Sequence, residues 1–415
     1  MTLTEPAAAR PSVLEPLRSV VHRIESTTPL DRDRGIDGLR ALALLSVPLG
    51  HWLLGGFTVD DRGALHNASP LTAMGYLSPV SWVLQMLAIF FLVGGYSSAL
   101  SLGRTVGRGE GTGAWIRRRM LRLGRPTLAV TAIWAVLLVA LRLLGVPGDS
   151  LHTAATLVIQ PLWFVAVYAG LSTLTPLCRA AARRMGCWSV LPLVAVVAVV
   201  DLLRYGPAGD AVPSWLGLVN LVPGWLFGYQ LGVCWSVRRL GRTGARLLLV
   251  AGIALFTVLL TQFHYPASMV GVPGVERTNS HPPSLLVIAL ACVQCGLAVL
   301  VRERLGRLLS RPGLWSTAVV LNLSAMTVFC WHQSAMLSGG LPGALVGAVP
   351  GLTTSPDSPG WALARLCWIP LFAVALIAIG LATRRFEQPW TGVFKAHRTA
   401  AVVLSLGFVG YALLG

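Results

Sequence analysis

The sequence predicts an all-α fold: a polytopic membrane helix bundle of ten core transmembrane helices and a short eleventh, with its N-terminus in the cytoplasm. Three observations lead there. The 415 residues are 54% hydrophobic and only 12% charged, about half the charged fraction of a soluble domain, which is about 25%. The apolar residues fall into runs of the length a bilayer requires, about 20 residues. The basic residues cluster between alternate runs.

The runs lie at 37–57, 77–101, 122–145, 153–177, 188–204, 214–237, 245–263, 284–301, 314–338, 361–383 and 399–414. All but six of the 33 basic residues sit in the N-terminal segment, 102–125, 178–187, 238–246, 302–311 and 384–398. Of those six, Arg62, Arg204 and Arg277 are in the intervening loops, and Arg40, Arg142 and Arg365 are within or at the ends of runs. Asp60, Asp61, Asp149, Asp210 and Asp357 share the basic-poor side. Positively charged loops stay in the cytoplasm, so this alternation fixes the expected orientation in the cell membrane. It divides the chain into a polar cytoplasmic segment (1–35), a membrane domain (36–398) and an additional C-terminal helix (399–415). Segment 1–35 has no apolar stretch of the kind a cleaved leader carries, so the first span is expected to serve as an uncleaved anchor.

The net charge of +17 does not point to nucleic acid, because the basic residues form no single patch or stripe. Cys292 and Cys295 make a CxxC, but it lies inside an apolar run without a second pair or a His partner, which a metal or redox site needs. His152, His264 and His281 flank the outer ends of runs with no carboxylate at ligand spacing, so no metal site is expected. The glycines of 107–113 follow a membrane run rather than a strand, which argues against a phosphate loop. The outer loops 58–76, 264–283 and 339–360 are long, and such loops are either lids and binding loops or plain connectors.

Chemistry concentrates in the first run, "DGLRALALLSVPLGHWLLGG" at 37–56. Ionisable residues at membrane depth are costly and mark a site by default. Eleven residues of helix rise about 16 Å and return to nearly the same face, so Arg40 and His51 line up, one near the cytoplasmic surface and one near the midplane. Asp37 is one turn from Arg40. An Arg fork suits phosphate, and a neutral imidazole can act as a general base. The structural alternative is an Arg reaching the headgroups and a His bonded to a neighbouring helix.

"RGIDGLRALALLSVPLGH" (34–51) resembles the opening of the acyltransferase-3 family of multi-pass O-acyltransferases. Its Arg-x10-His signature falls on Arg40 and His51, with the preceding Asp on Asp37. "FFLVGGYSSALSL" (90–102) is similar to the family's second helix, with Gly94 where Ser is usual. "WIRRRMLRLGRP" (115–126) resembles its Arg-x-Arg segment, here Arg117 and Arg119. "PLWFVAVY" (161–168) is similar to its Trp-Phe helix start, at Trp163. "SAMTVFCWHQSAML" (324–337) resembles its late His helix, at His332, and "RRFEQPW" (384–390) its closing Glu-x-Pro.

The resemblance implies that 36–398 is a membrane acyltransferase domain taking acyl-CoA, acetyl-CoA first, from the cytoplasm as co-substrate, with no permanently bound cofactor. The acceptor would be a hydroxyl on an extracytoplasmic glycan, a lipid-linked sugar or a secreted small molecule. His51 is then the expected base, and Arg40, Arg117, Arg119 and Arg122 the acyl-CoA contacts. Asp37 and Trp163 would support the site, with His332 on the acceptor side. Acyl transfer needs proton removal and oxyanion stabilisation; the sequence names no oxyanion donor. A transporter or flippase is the competing reading, since midplane ionisable residues also mark substrate pathways, but the paired broken helices of many transporters are not visible.

Overall fold

The computed structural model describes residues 14–206, 212–275, 277–386 and 397–414. Each of the eleven apolar runs is helical over most of its length. Among the described residues, eight helical segments are long and apolar enough to cross a membrane, or nine if one bent pair counts as a single span. The helix carrying Arg40 and His51 is not one of the eight, and the last helix is among the shorter apolar ones. The polar residues that suggest a site in the first run also dilute its apolar character.

In chain order, the first helices are α1 (Leu14–Thr27), α2 (Arg34–Leu54), α3 (Pro70–Ala73), α4 (Ser78–Leu84), α5 (Leu87–Gly107), α6 (Thr112–Leu143), α7 (Gly148–Ile159) and α8 (Leu162–Thr173). The remainder are α9 (Thr175–Met185), α10 (Leu191–Tyr205), α11 (Leu221–Ser236), α12 (Arg242–Thr261), α13 (Leu285–Leu308), α14 (Pro312–Leu323), α15 (Ala325–Val346), α16 (Pro359–Thr383) and α17 (Arg398–Leu414). Helices α14 and α15 meet at a 77° bend. Large apolar side chains such as Val139, Leu202, Val250 and Ile377 face outward, as lipid contact requires.

Two cores form. One gathers Phe91, Phe164, Trp225, Tyr229 and Leu286 from α5, α8, α11 and α13. The other gathers Trp134, Leu157, Trp331, Phe372 and Phe408 from α6, α7, α15, α16 and α17. Helix α2 joins them: Leu39 and Ala43 belong to the first core, Leu44 and Trp52 to the second. Cys292 and Cys295 are packing residues of α13. A Cβ on Gly252 of α12 would lie 2.7 Å from the Cys292 Cβ, and Cys295 is fully buried.

Among the described residues, the strands that depart from the all-α expectation form a hairpin after α2, β1 (Gly56–Val59) paired antiparallel with β2 (Leu65–Ala68). Asp60 builds its turn, accepting from the Arg62 and Ala64 amides at 3.0 and 2.8 Å, and Gly63 takes the left-handed conformation at φ 76°, where glycine has no steric penalty. A hydrogen bond from His66, with those amides, holds the Asp60 carboxyl below the usual range. The N-terminal segment carries a helix of its own: α1 packs on α14, and just beyond it Trp315 Nε1 donates to Thr28 Oγ1 at 2.8 Å.

Candidate active site

Both ends of α2 are fixed by side chains. Asp33 caps its start, accepting from the Ile36 amide at 3.1 Å, and also takes the Arg302 guanidinium of α13. Pro48, one turn before His51, cannot donate to the carbonyl four residues back. At the far end, fully buried Arg365 of α16 donates to the Trp52, Gly55 and Gly351 carbonyls at 2.6, 3.0 and 3.1 Å. A cation at a helix C-terminus meets carbonyls that have no partner inside the helix.

His51 lines a cavity of about 430 Å³. The cavity is lined by α2, α4, α5, α7, α8 and α15, with residues 67–69 and 270–273 and Ser280–His281 at the end of α2 opposite Arg40. Its polar groups include Gln85, Gln160, Gln333, His281 and serine hydroxyls, and none of the lining residues is Asp, Glu, Lys or Arg. Trp163 stands edge-on to His281, ring centroids 4.4 Å apart.

The loop that supplies His281 is tied down by its own polar groups. Asn279 donates to the Pro266 and Ser268 carbonyls at 2.6 and 2.8 Å and accepts from Ser284 at 2.8 Å. Trp82 of α4 donates to the Ala267 carbonyl at 2.6 Å, and Gln85 bonds Ser280. Gln294 of α13 donates to the Trp82 and Gln85 carbonyls, both at 3.0 Å, satisfying the break between α4 and α5.

Helix α15 meets α2 at two neighbouring positions. Trp52 Nε1 donates to the His332 carbonyl at 3.0 Å, and the Gln333 side-chain amide lies 3.1 Å from His51 Nδ1. His332 is fully buried, its ring centroid 4.9 Å from that of His51. It stands behind His51 and is not among the residues lining the cavity. Its Nδ1 is 2.8 Å from the Phe329 carbonyl, which can only accept, so Nδ1 carries the proton.

At the other end of α2, Arg40 donates to Ser97 of α5 at 2.6 Å and lies 3.8 Å from Asp37, which mainly pairs with Arg32 at 2.5 Å. Arg119 of α6 turns inward to Tyr168 Oη and Ser172 Oγ of α8, at 2.6 and 2.9 Å. Tyr168 packs over Gly94, where a Cβ would lie 2.6 Å from its ring, one turn from Ser97. Arg40 and Arg119 therefore converge on one stretch of α5 and α8. From there the rings of Tyr168, Phe90 and Phe164 are in contact in turn, and Phe164 lines the cavity.

Of the residues expected from sequence, His51 and Trp163 line the cavity, while Arg40, Asp37 and Arg119 stand at the arginine end. Arg117 and Arg122 are exposed. Two residues of helix advance about 200°, so Arg117 and Arg119 share no face. The "RRFEQPW" stretch lies outside the described residues from Glu387 onward. Sequence reasoning passed over His281, which it read as a discounted metal ligand, and over Gln85, Gln160, Gln333 and Arg365. Arg365 and Gln333 did carry a signal, each being a strongly polar residue in an apolar run.

These features define a helical membrane protein with a deep imidazole-bearing cavity and a cationic end across from it. A family model described as an acyltransferase domain, that of the acyltransferase-3 family, matches residues 33–385, and the chain belongs to that family. The protein is an acyltransferase with multiple apolar helices, and the transporter alternative is not favoured. No curated protein and no solved structure matches the chain.

Proposed function

We propose that this enzyme transfers an acetyl or other short acyl group from cytoplasmic acyl-CoA to a hydroxyl of an extracytoplasmic glycan, lipid-linked sugar or secreted small molecule. It would do so in the cell membrane, with its N-terminus in the cytoplasm. The observation that carries this reading is the placement of His51, inside the cavity, on the helix whose opposite end holds Arg40. The separation is about 16 Å, comparable with an extended pantetheine arm. Arg40 and Arg119 hold the donor's phosphates as paired donors. The thioester then passes the aromatic rings of Phe90, Phe164 and Tyr168, and the acceptor enters past the outer loops.

In the cavity, His51 takes the acceptor hydroxyl proton as the oxygen attacks the thioester carbonyl carbon. The tetrahedral intermediate collapses with cleavage of the carbon–sulfur bond, and the imidazolium returns its proton to the departing thiolate. The products are the acylated acceptor and free coenzyme A. The uncharged lining favours this proton shuttle, because no carboxylate or cation competes for the imidazole.

Calorimetric titration of acetyl-CoA into detergent-purified protein tests the donor half. Affinity falling at least tenfold in Arg40→Ala, yet retained in His51→Ala, is the expected pattern. A folded wild type that binds neither acetyl-CoA nor a longer acyl-CoA ends this reading.

A further inference from the structure

The His51 ring has one hydrogen-bond partner among the described residues, the Gln333 side-chain amide, whose nitrogen is placed 3.1 Å from Nδ1. Gln333 is 1% exposed, held by α15 beside the Trp52 bond to the His332 carbonyl. A neutral imidazole has one N–H and one bare nitrogen, and the partner on one ring nitrogen decides which is which. Gln333 can decide it either way, since a half-turn of its amide exchanges the oxygen and nitrogen positions. With NH2 toward the ring, His51 Nδ1 accepts and Nε2 carries the proton, while the Gln333 oxygen stays buried without a donor. With the oxygen toward the ring, Nδ1–H donates to it and Nε2 is bare.

The amide as placed leaves its oxygen without a donor, so the count of satisfied groups does not settle the choice. Chemistry does, because only a bare Nε2 can take a proton from an acceptor hydroxyl. Resting on the acyl-transfer reading, we propose that Gln333 is a positioning residue that fixes His51 as the Nδ1–H tautomer, its amide oxygen accepting from Nδ1. It does this without a carboxylate, which keeps the cavity uncharged. The carbonyl of Phe329 imposes the same tautomer on the neighbouring His332.

The test is the 15N spectrum of the full-length protein labelled at histidine, in which protonated and bare ring nitrogens are widely separated. His51→Gln removes one of eight histidines and assigns the His51 pair. The wild type should show a protonated Nδ1 and a bare Nε2. Gln333→Glu, which keeps an acceptor, should retain that pattern, and Gln333→Leu should shift it toward Nε2–H, the form free histidine prefers. A wild-type His51 with Nε2 protonated overturns the proposal whether or not the variants fold, and so does an unchanged pattern in folded Gln333→Leu. The outcome is separable from the donor reading: absent acyl-CoA binding with a protonated Nδ1 strikes acyl transfer, whereas intact binding with the opposite tautomer strikes Gln333 alone.

Discussion

Arg365 shows how much of the site depends on a residue that does not itself line the cavity. Its guanidinium donates to three carbonyls, two of them those of Trp52 and Gly55 at the C-terminal end of α2 beyond His51. No carboxylate pairs with it among the described residues. The planar fork spreads its donors across separate acceptors, which a Lys ammonium cannot reproduce. Arg365→Met would strand three buried acceptors at about 1–3 kcal/mol each, partly offset by the desolvation no longer paid by the cation. The net expectation is a loss of about 2 kcal/mol, with Arg365→Lys intermediate, read from thermal unfolding in detergent. An unchanged midpoint in Arg365→Met would mean that α2 ends correctly without the clamp.

At the scale of elements, glycines set how closely α5 approaches α11. A Cβ on Gly232 would sit 1.9 Å from the Leu92 carbonyl oxygen, and one on Gly95 would sit 2.0 Å from that of Tyr229. Backbone blocks both positions, so Gly232→Ala forces the helices apart, as small residues at membrane crossings exist to prevent. Overpacking costs typically 1–3 kcal/mol, and here it also moves the helix that carries Ser97 and lines the cavity. Gly232→Ala should lower stability by about 2–3 kcal/mol and weaken acetyl-CoA binding. Gly170→Ala on α8, where a Cβ meets nothing within 4 Å, should do neither. Equal behaviour of the two variants would rule out the close crossing.

The same scale shows what the sequence made legible. Apolar run length is set by the bilayer, so the helices could be read directly, and the Arg40–His51 alignment followed from helix geometry alone. The bend between α14 and α15 falls at Ser324 with no Pro or Gly beside it, so nothing local announced it. His281 and Gln85 reach the cavity through contacts between segments nearly 200 residues apart in the chain, such as Gln85 with Ser280, and no spacing rule reports those. Arg117 and Arg119 stand on different faces of α6: motif resemblance pairs them, while a two-residue helical step turns their side chains apart.

For the whole molecule, the proposal requires a definite orientation. Arg40 and Arg119 lie at one end of the bundle, and the hairpin and loop 264–284 at the other, because α2 runs from the first end to the second while α5 and α8 run back. Acyl-CoA is a cytoplasmic metabolite too large and too charged to cross a bilayer unaided, so the arginine end must face the cytoplasm. The positive-inside asymmetry predicts the same orientation on independent grounds, since most of the arginines that set it touch neither α2 nor the cavity. Cysteine labelling in intact cells with a membrane-impermeant maleimide separates the two orientations. Asp61→Cys lies in the exposed hairpin turn, and Gly111→Cys before α6 sits in open space. In a background with the exposed Cys367 replaced by Ser, Asp61→Cys should label without permeabilisation and Gly111→Cys only after it. The reverse pattern would put Arg40 outside, away from any acyl-CoA, and the donor route would fail even with His51 and its cavity in place.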